Sequence, residues 1–115
     1  MTEVSKMTDQ QLNRALAELV GWKNIHEDPY GHLWGQPADD RWSNSLPEYC
    51  TDPAASLEVQ TAAIAKNPVG YVDLLHRIAI RRAVMWRTEL IDVAYILNAT
   101  PRQRAEAAYM TLKGE

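Results

Sequence analysis

Residues 100–114 read TPRQRAEAAYMTLKG, and they predict a helix whose first turn and last turn are both specified. Thr100 is a favoured N-cap, Pro101 suits the first helical position because its missing N–H has no partner there, and Gln103 completes a capping box. Gly114 suits the end of the helix. Apolar residues recur at helical spacing and predict one buried face, formed by Ala105, Ala108, Tyr109 and Leu112.

A second capped helix is predicted over residues 8–20. Thr8 and Gln11 form another capping box, and Gly21 is expected to stop the helix in the left-handed conformation. Its apolar face comprises Leu12, Ala15, Leu16, Leu19 and Val20. We expect residues 1–7, which precede the cap, to be disordered. We expect the first and last helices, both rich in alanine and leucine, to hold the fold together.

Residues 22–52 carry no helical period and hold three of the four tryptophans. Large apolar and polar residues alternate over residues 22–26, which predicts a short strand, and residues 30–34 are placed to pair with it across a proline turn. We therefore expect a small antiparallel β element near residues 22–35. The rest of the segment is predicted to be an ordered loop, pinned by Trp42, Leu46 and Tyr49.

The next predicted helix begins at Asp52 and Pro53, which serve as N-cap and first helical residue. The sequence Asn67-Pro68 ends it, because proline disfavours a helical conformation in the residue before it. The predicted apolar stripe of this helix is thin and comprises Ala54, Leu57, Thr61, Ile64 and Ala65.

Residues 69–98 fit a helical period better than an alternating one. They form either one long helix or two helices with a break near residues 80–84. A strand stays open as the alternative, because β-branched residues are dense at Ile91, Val93 and Ile96.

The chain of 115 residues is 46% apolar and 23% charged, which are ordinary values for one globular domain spanning residues 1–115. Together with the patterns above, they predict a predominantly helical α+β fold with four to five helices. The net charge of −3 is too small to indicate a nucleic-acid binder. The sequence shows no run of 18 apolar residues, no signal peptide and only one cysteine, so we expect a cytoplasmic protein without a membrane segment.

The residue types that bind metals or act as nucleophiles show no recognised spacing. His26 and His32 are six residues apart across a proline turn, which does not define a tetrahedral site. Cys50 stands between Glu48 and Asp52, and these carboxylates oppose formation of a thiolate. Because no glycine-rich phosphate loop is present either, we expect neither catalysis nor a metal or other cofactor.

Aromatic residues of the loop are candidate contacts for a protein partner, because tryptophan and tyrosine are common anchors of protein interfaces. The candidates are Trp34, Trp42 and Tyr49. The alternative is that these side chains bury the loop against the core.

Basic residues are concentrated in the second part of the chain. Residues 61–115 carry 8 basic and 5 acidic side chains, whereas residues 1–60 carry 4 basic and 10 acidic side chains. The candidates for contacts with phosphates or with an acidic protein are Arg77, Arg81, Arg82 and Arg87. The alternative is a solvated helix face that pairs with the acidic first part of the chain.

An apolar stripe in the same region predicts a homodimer interface if nothing else in the chain covers it. Its residues recur at spacings of three and four along a helix. The stripe comprises Trp86, Leu90, Val93 and Leu97.

Three blocks of the sequence resemble one known family. They are residues 12–23 (LNRALAELVGWK), 46–55 (LPEYCTDPAA) and 99–109 (ATPRQRAEAAY). Together they are similar to small tailed-phage and prophage proteins that carry the phage ABA-sandwich domain. The resemblance implies an α/β/α sandwich, with helices on both faces of a small antiparallel sheet, and a phage or prophage setting. It implies no activity.

The sequence therefore predicts a phage or prophage accessory protein that acts by binding a host or phage protein, without catalysis. Small phage proteins of this kind include inhibitors of host defence such as anti-CRISPR proteins, and we expect such a role here. The alternative is a nucleic-acid-associated regulator that uses the arginine-rich helix.

Overall fold

The computed structural model describes residues 3–80 and 90–114 of the chain. The described residues form five α-helices, α1 (Asp9–Leu19), α2 (Pro53–Lys66), α3 (Pro68–Ile80), α4 (Leu90–Leu97) and α5 (Pro101–Lys113). They also form one antiparallel sheet in the order β1-β2-β3, with β1 (Lys23–Glu27), β2 (Leu33–Gln36) and β3 (Asn44–Ser45). The predicted fold class, a predominantly helical α+β fold with a small antiparallel element near residues 22–35, is confirmed.

The helices begin and end through the predicted capping chemistry. The Thr8 hydroxyl accepts from the Gln11 backbone N–H, and the Gln11 side chain accepts from the Thr8 N–H. Thr100 and Gln103 repeat this capping box at the start of α5. Asp52 accepts from a first-turn N–H of α2 and is the predicted N-cap. These contacts satisfy N–H groups that have no partner inside the helix.

Helix α5 is the centre of the core and packs against α1, α2 and α3. Its alanines are closed to solvent, and so are two leucines of α1 and one valine of α2. Hydrophobic burial of this kind is the main favourable term in folding. The residues with no exposed surface are Leu12, Leu16, Ala17, Val59, Ala63, Ala105, Ala107 and Ala108, together with the polar Ser56.

The predicted apolar stripe of α2 is wrong. The helix buries the opposite set, and the predicted residues Leu57 and Ile64 are 46% and 41% exposed. Small side chains on the buried side let the backbones of α2 and α5 approach closely, which a stripe of leucine and isoleucine would prevent. The buried residues of α2 are Ala55, Ser56, Val59 and Ala63.

Helices α3 and α4 are two separate helices that pack side by side. His76 Nε2 lies 4.0 Å from Asp92 Oδ2, whereas one straight helix would separate residues 76 and 92 by about 24 Å. The prediction of helix over residues 69–98 is therefore confirmed where the structure describes them, and the alternative strand at Val93 and Ile96 is wrong. The predicted break near residues 80–84 lies outside the described residues, apart from residue 80.

The β1–β2 pair agrees with prediction, and the segment after it differs in two ways. Asn44 and Ser45 form a third strand beside β2, for which two residues offer no periodic signal. Trp42 does not pin the loop, since it is 67% exposed. Leu46 and Tyr49 are buried as predicted, at 6% and 1% exposure.

Arg102 of α5 joins the start of the chain to the core. Its guanidinium donates to Asp9 Oδ1 at 2.8 Å, to Glu106 Oε2 at 2.7 Å, and to two backbone carbonyls, of Val4 and Met7. Residues Val4–Lys6, within the segment expected to be disordered, form a single turn of 3₁₀ helix there. Burial opposes the charge, but the hydrogen bonds to the two carboxylates raise the pKa of Arg102 above its ordinary value.

Candidate protein-binding surface

A broad apolar surface lies on the outer sides of α2, α3 and α4. We call it the apolar face, and it comprises Leu57, Ile64, Val69, Val72, Val93, Ile96 and Leu97. Val69 is 80% exposed and Leu97 is 76% exposed, which is unusual for aliphatic side chains of this size. Because these residues adjoin one another, they differ from single exposed apolar residues, which are common on any protein.

Two adjoining grooves cross the apolar face. The larger has a volume of about 720 Å³ and lies between α3 and α4, where Val69, Val72 and Val93 line it. The smaller, of about 290 Å³, is bounded by α2 on its other side. Val72 and Ile96 line both grooves, so the two form one continuous depression. Its lining is mainly aliphatic, which suits an apolar ligand surface.

The charged residues at the edges of the apolar face are already engaged. Arg77 Nη2 lies 2.8 Å from Asp73 Oδ2, as the i,i+4 spacing predicts. Arg104 donates to the Ser56 hydroxyl at 3.1 Å, and Lys66 donates to a backbone carbonyl of α5. The face therefore offers apolar surface with few uncommitted charges beside it.

One polar pair lies beneath the larger groove. His76 Nε2 is buried and has no hydrogen-bond partner among the described residues, although Asp92 Oδ2 is 4.0 Å away. Asp92 is itself 3% exposed. His76 is one of the residues that line the larger groove, and its buried Nε2 lies on the side of Asp92.

The predicted aromatic contacts fall in three different environments. Trp42 is exposed, and the Arg41 guanidinium carbon lies 5.6 Å from the centre of its ring. Trp34 is half-buried, and its indole N–H donates to Asp28 Oδ2 at 2.9 Å. Tyr49 is buried in the core at 1% exposure, which favours the alternative that its side chain buries the loop against the core. Burial raises the pKa of its hydroxyl to about 12.

Of the four arginines in the predicted cluster, Arg77 alone lies within the described residues. Arg77 is exposed and is paired with Asp73, which leaves less of its charge for a phosphate. Arg81, Arg82 and Arg87 lie outside the described residues. Trp86 of the predicted dimer stripe also lies outside them, while Val93 and Leu97 of that stripe are exposed on α4.

The described residues do not assemble a metal or nucleophile site. Within residues 3–80 and 90–114, no group of three or more His, Cys, Asp or Glu side chains is arranged to hold a metal ion. Cys50 is 4% exposed, and burial raises the pKa of its thiol to about 11. A thiol of this kind is protonated at neutral pH and is a poor nucleophile.

The structure and the comparisons with known proteins leave the family open. No family model, curated protein or solved structure matches the chain. The resemblance to the phage ABA-sandwich family, and the sandwich that it implies, therefore stay predictions. In the described part of the chain, no helix is both long enough and apolar enough to cross a bilayer.

Sequence reasoning missed most of the apolar face. The helical spacing of Leu57 and Ile64 with Ala54, Thr61 and Ala65 predicts a buried stripe, but the structure exposes it. The missed signal is that α2 carries two apolar sides, one of large residues and one of small residues, and α5 is rich in alanine. An alanine-rich helix packs most closely against the small side of its neighbour, which leaves the large side uncovered.

Proposed function

We propose that this protein acts by binding another protein, and that an amphipathic helix of the partner occupies the apolar face. The observation that carries this proposal is the exposure of Val69, which lines the groove of about 720 Å³, and of Leu97, which lines the adjoining groove of about 290 Å³. Water in contact with these side chains is released when a partner covers them, and that release favours association. Contiguous apolar surface of this kind commonly marks an interaction site.

The shape and charge of the face favour a helix as the occupant. Its larger groove runs between two packed helices, and an amphipathic helix inserts apolar residues into such a groove at spacings of three and four. The neighbouring charges of Asp73 and Arg77 neutralise each other. A partner with an apolar, weakly charged face is therefore expected, and its binding should tolerate salt.

The biological setting is part of the same proposal. We place the protein among phage or prophage accessory proteins that act in the cytoplasm of a bacterial host, as an inhibitor of host defence of the anti-CRISPR kind. The three sequence blocks at residues 12–23, 46–55 and 99–109 support this setting. A binding protein without a catalytic centre is consistent with such a role.

The experiment is affinity capture from a lysate of the bacterial host, with nuclease treatment and a wash at moderate salt. Three proteins are compared: the wild type, the variant Leu97→Glu, and the matched control Tyr30→Glu. Tyr30 is 95% exposed and belongs to the turn between β1 and β2, away from the apolar face. We expect a stoichiometric partner that the wild type and Tyr30→Glu retain and that Leu97→Glu loses.

Three outcomes would overturn the proposal. The first is a partner that Leu97→Glu retains, because the face would then not be the contact. The second is a purified wild type that is a dimer in light scattering while Leu97→Glu is a folded monomer, because a second copy would then cover the face. The third is recovery of nucleic acid alone, lost on salt or nuclease treatment, which would support the regulator that uses the arginine-rich helix.

A further inference from the structure

A second cavity lies in a different part of the molecule. It has a volume of about 300 Å³ and is formed where the first turns of α1, the β1–β2 turn and residues 46–51 meet. We call it the polar cleft, and its polar lining comprises Asp9, Gln10, Asn13, His32, Glu48 and Thr51. It shares no residue with the apolar face. Its volume lies at the lower end of the range usual for ligand pockets.

Asn13 supplies a hydrogen-bond donor at the inner end of the polar cleft. The residue is only 9% exposed, and its side-chain oxygen accepts from the Cys50 backbone N–H at 3.1 Å. That contact orients the amide, and no described residue accepts a hydrogen bond from its NH₂ group. The NH₂ group is therefore free to donate to a ligand in the cleft, and a ligand that covers it without accepting that hydrogen bond would bind less well.

Two carboxylates supply acceptors nearer the opening. Asp9 shares Oδ1 with Arg102, which leaves its second oxygen available. Glu48 is exposed, and its carboxylate has no described partner. No lysine or arginine lines the cleft in the described part of the chain. The lining is therefore suited to a cation at its outer end and to a hydrogen-bond acceptor at its inner end.

We propose that the polar cleft binds a short basic peptide segment. A backbone carbonyl of the segment accepts from the Asn13 NH₂ group, and a neighbouring arginine or lysine side chain pairs with Glu48. A peptide combines these two features within one or two residues, which a simple cation does not. An anion is disfavoured by Asp9 and Glu48, and a purely apolar ligand would leave the amide of Asn13 unpaired.

The charge of the surrounding chain supports a basic ligand. Residues 1–60, which include every residue that lines the cleft, carry 10 acidic and 4 basic side chains. Such an excess attracts a cationic peptide and raises its rate of encounter at low salt. Binding at the polar cleft should therefore weaken with salt, whereas binding at the apolar face should not.

The test is an NMR titration of the purified, isotope-labelled protein with two blocked tripeptides, acetyl-Gly-Arg-Gly-amide and acetyl-Gly-Gln-Gly-amide. We expect shifts at the Asn13 side-chain amide and around Glu48. The arginine peptide should bind roughly two- to fivefold more tightly than the glutamine peptide, the range expected for a solvent-accessible ion pair. Because no partner protein is used, this test is independent of the function proposed above.

Matched variants assign the two contacts. Glu48→Gln should abolish the preference for the arginine peptide, whereas Glu58→Gln, an exposed position on α2 outside the cleft, should keep it. Asn13→Asp keeps an oxygen for the Cys50 N–H and removes the donor. This substitution should lower the affinity for the neutral glutamine peptide roughly three- to tenfold, as expected for one lost hydrogen bond.

Three results of the titration would overturn the proposal. They are the absence of shifts with either peptide at millimolar concentration, shifts confined to residues outside the cleft, and equal affinity for the two peptides. Retention of the arginine preference by a folded Glu48→Gln variant would also reject it.

Discussion

Two regions of this protein treat apolar side chains in opposite ways. In the body formed by α1, α2 and α5, Leu16 and Val59 have no exposed surface. At the end formed by α3 and α4, Val69 and Leu97 are 80% and 76% exposed. The difference does not come from a shortage of apolar residues in either region. It comes from what is available to pack against them.

Side-chain size decides which apolar surfaces are covered. The alanines of α5 lie against the small side of α2, so the backbones approach closely and the core leaves no room for Leu57 or Ile64. Helix α4 contributes aliphatic residues that face outwards in the same direction as these two. An apolar helix therefore predicts an interface, but it does not tell whether the interface lies inside the protein or between two molecules.

The largest expected effect is a difference in the free energy of unfolding between alanine substitutions of two leucines, one in each region. Leu16→Ala removes a fully buried side chain and should lower the free energy of unfolding by about 2–5 kcal/mol. Leu97→Ala removes an exposed side chain and should change it by less than about 0.5 kcal/mol. Urea unfolding of both variants, followed by circular dichroism, measures the two values. Equal losses would mean that α4 is covered as well as α1 and would remove the contrast.

The second prediction compares two arginines that each pair with a carboxylate four residues away. Arg102 is a partly buried member of the body, and Arg77 is an exposed member of α3. Arg102→Met keeps much of the aliphatic stem but leaves Glu106 buried without its partner, so we expect a loss of about 2–3 kcal/mol in unfolding free energy. Arg77→Met should cost at most about 0.5 kcal/mol.

Salt separates the contributions of these two arginines further. Unfolding at low and at high salt should give nearly the same loss for Arg102→Met, because its contacts with Glu106 and the backbone carbonyls are shielded from ions. The smaller loss for Arg77→Met should disappear at high salt. A loss for Arg102→Met that also disappears would show that its network acts as a surface ion pair.

The helix boundaries could be predicted from the sequence because the contacts that determine them are local. The capping boxes of Thr8 and Thr100, and the cap of Asp52, each involve residues no more than three positions apart. Gly21 and Gly114 have φ angles of +102° and +85°, which glycine adopts without strain, as predicted for helix ends. Such features depend little on the rest of the chain, so their boundaries were predictable.

The burial of individual side chains could not be predicted from the sequence where it depends on contacts between elements that are far apart in the chain. The buried side of α2 depends on the alanines of α5, some 50 residues later in the chain. Tyr49 and Trp42 lie seven residues apart and are equally apolar in sequence, yet one is buried and the other exposed. The polar cleft joins α1 to residues 46–51 through the Asn13–Cys50 contact, which no local pattern indicates.

The final prediction tests whether the body excludes water from around Cys50. Burial raises the pKa of the Cys50 thiol to about 11, whereas an unfolded cysteine has a pKa near 8.5. As the pH rises above 8.5, the folded state therefore keeps the thiol proton while the unfolded state loses it. Because this favours the unfolded state, the free energy of unfolding declines. Between pH 8 and pH 9.5 the free energy of unfolding of the wild type should fall by about 1 kcal/mol more than that of Cys50→Ala. Urea unfolding with reductant present measures both values. Parallel losses in the two proteins would mean that the thiol ionises equally well in the folded and unfolded states, and that burial does not raise its pKa.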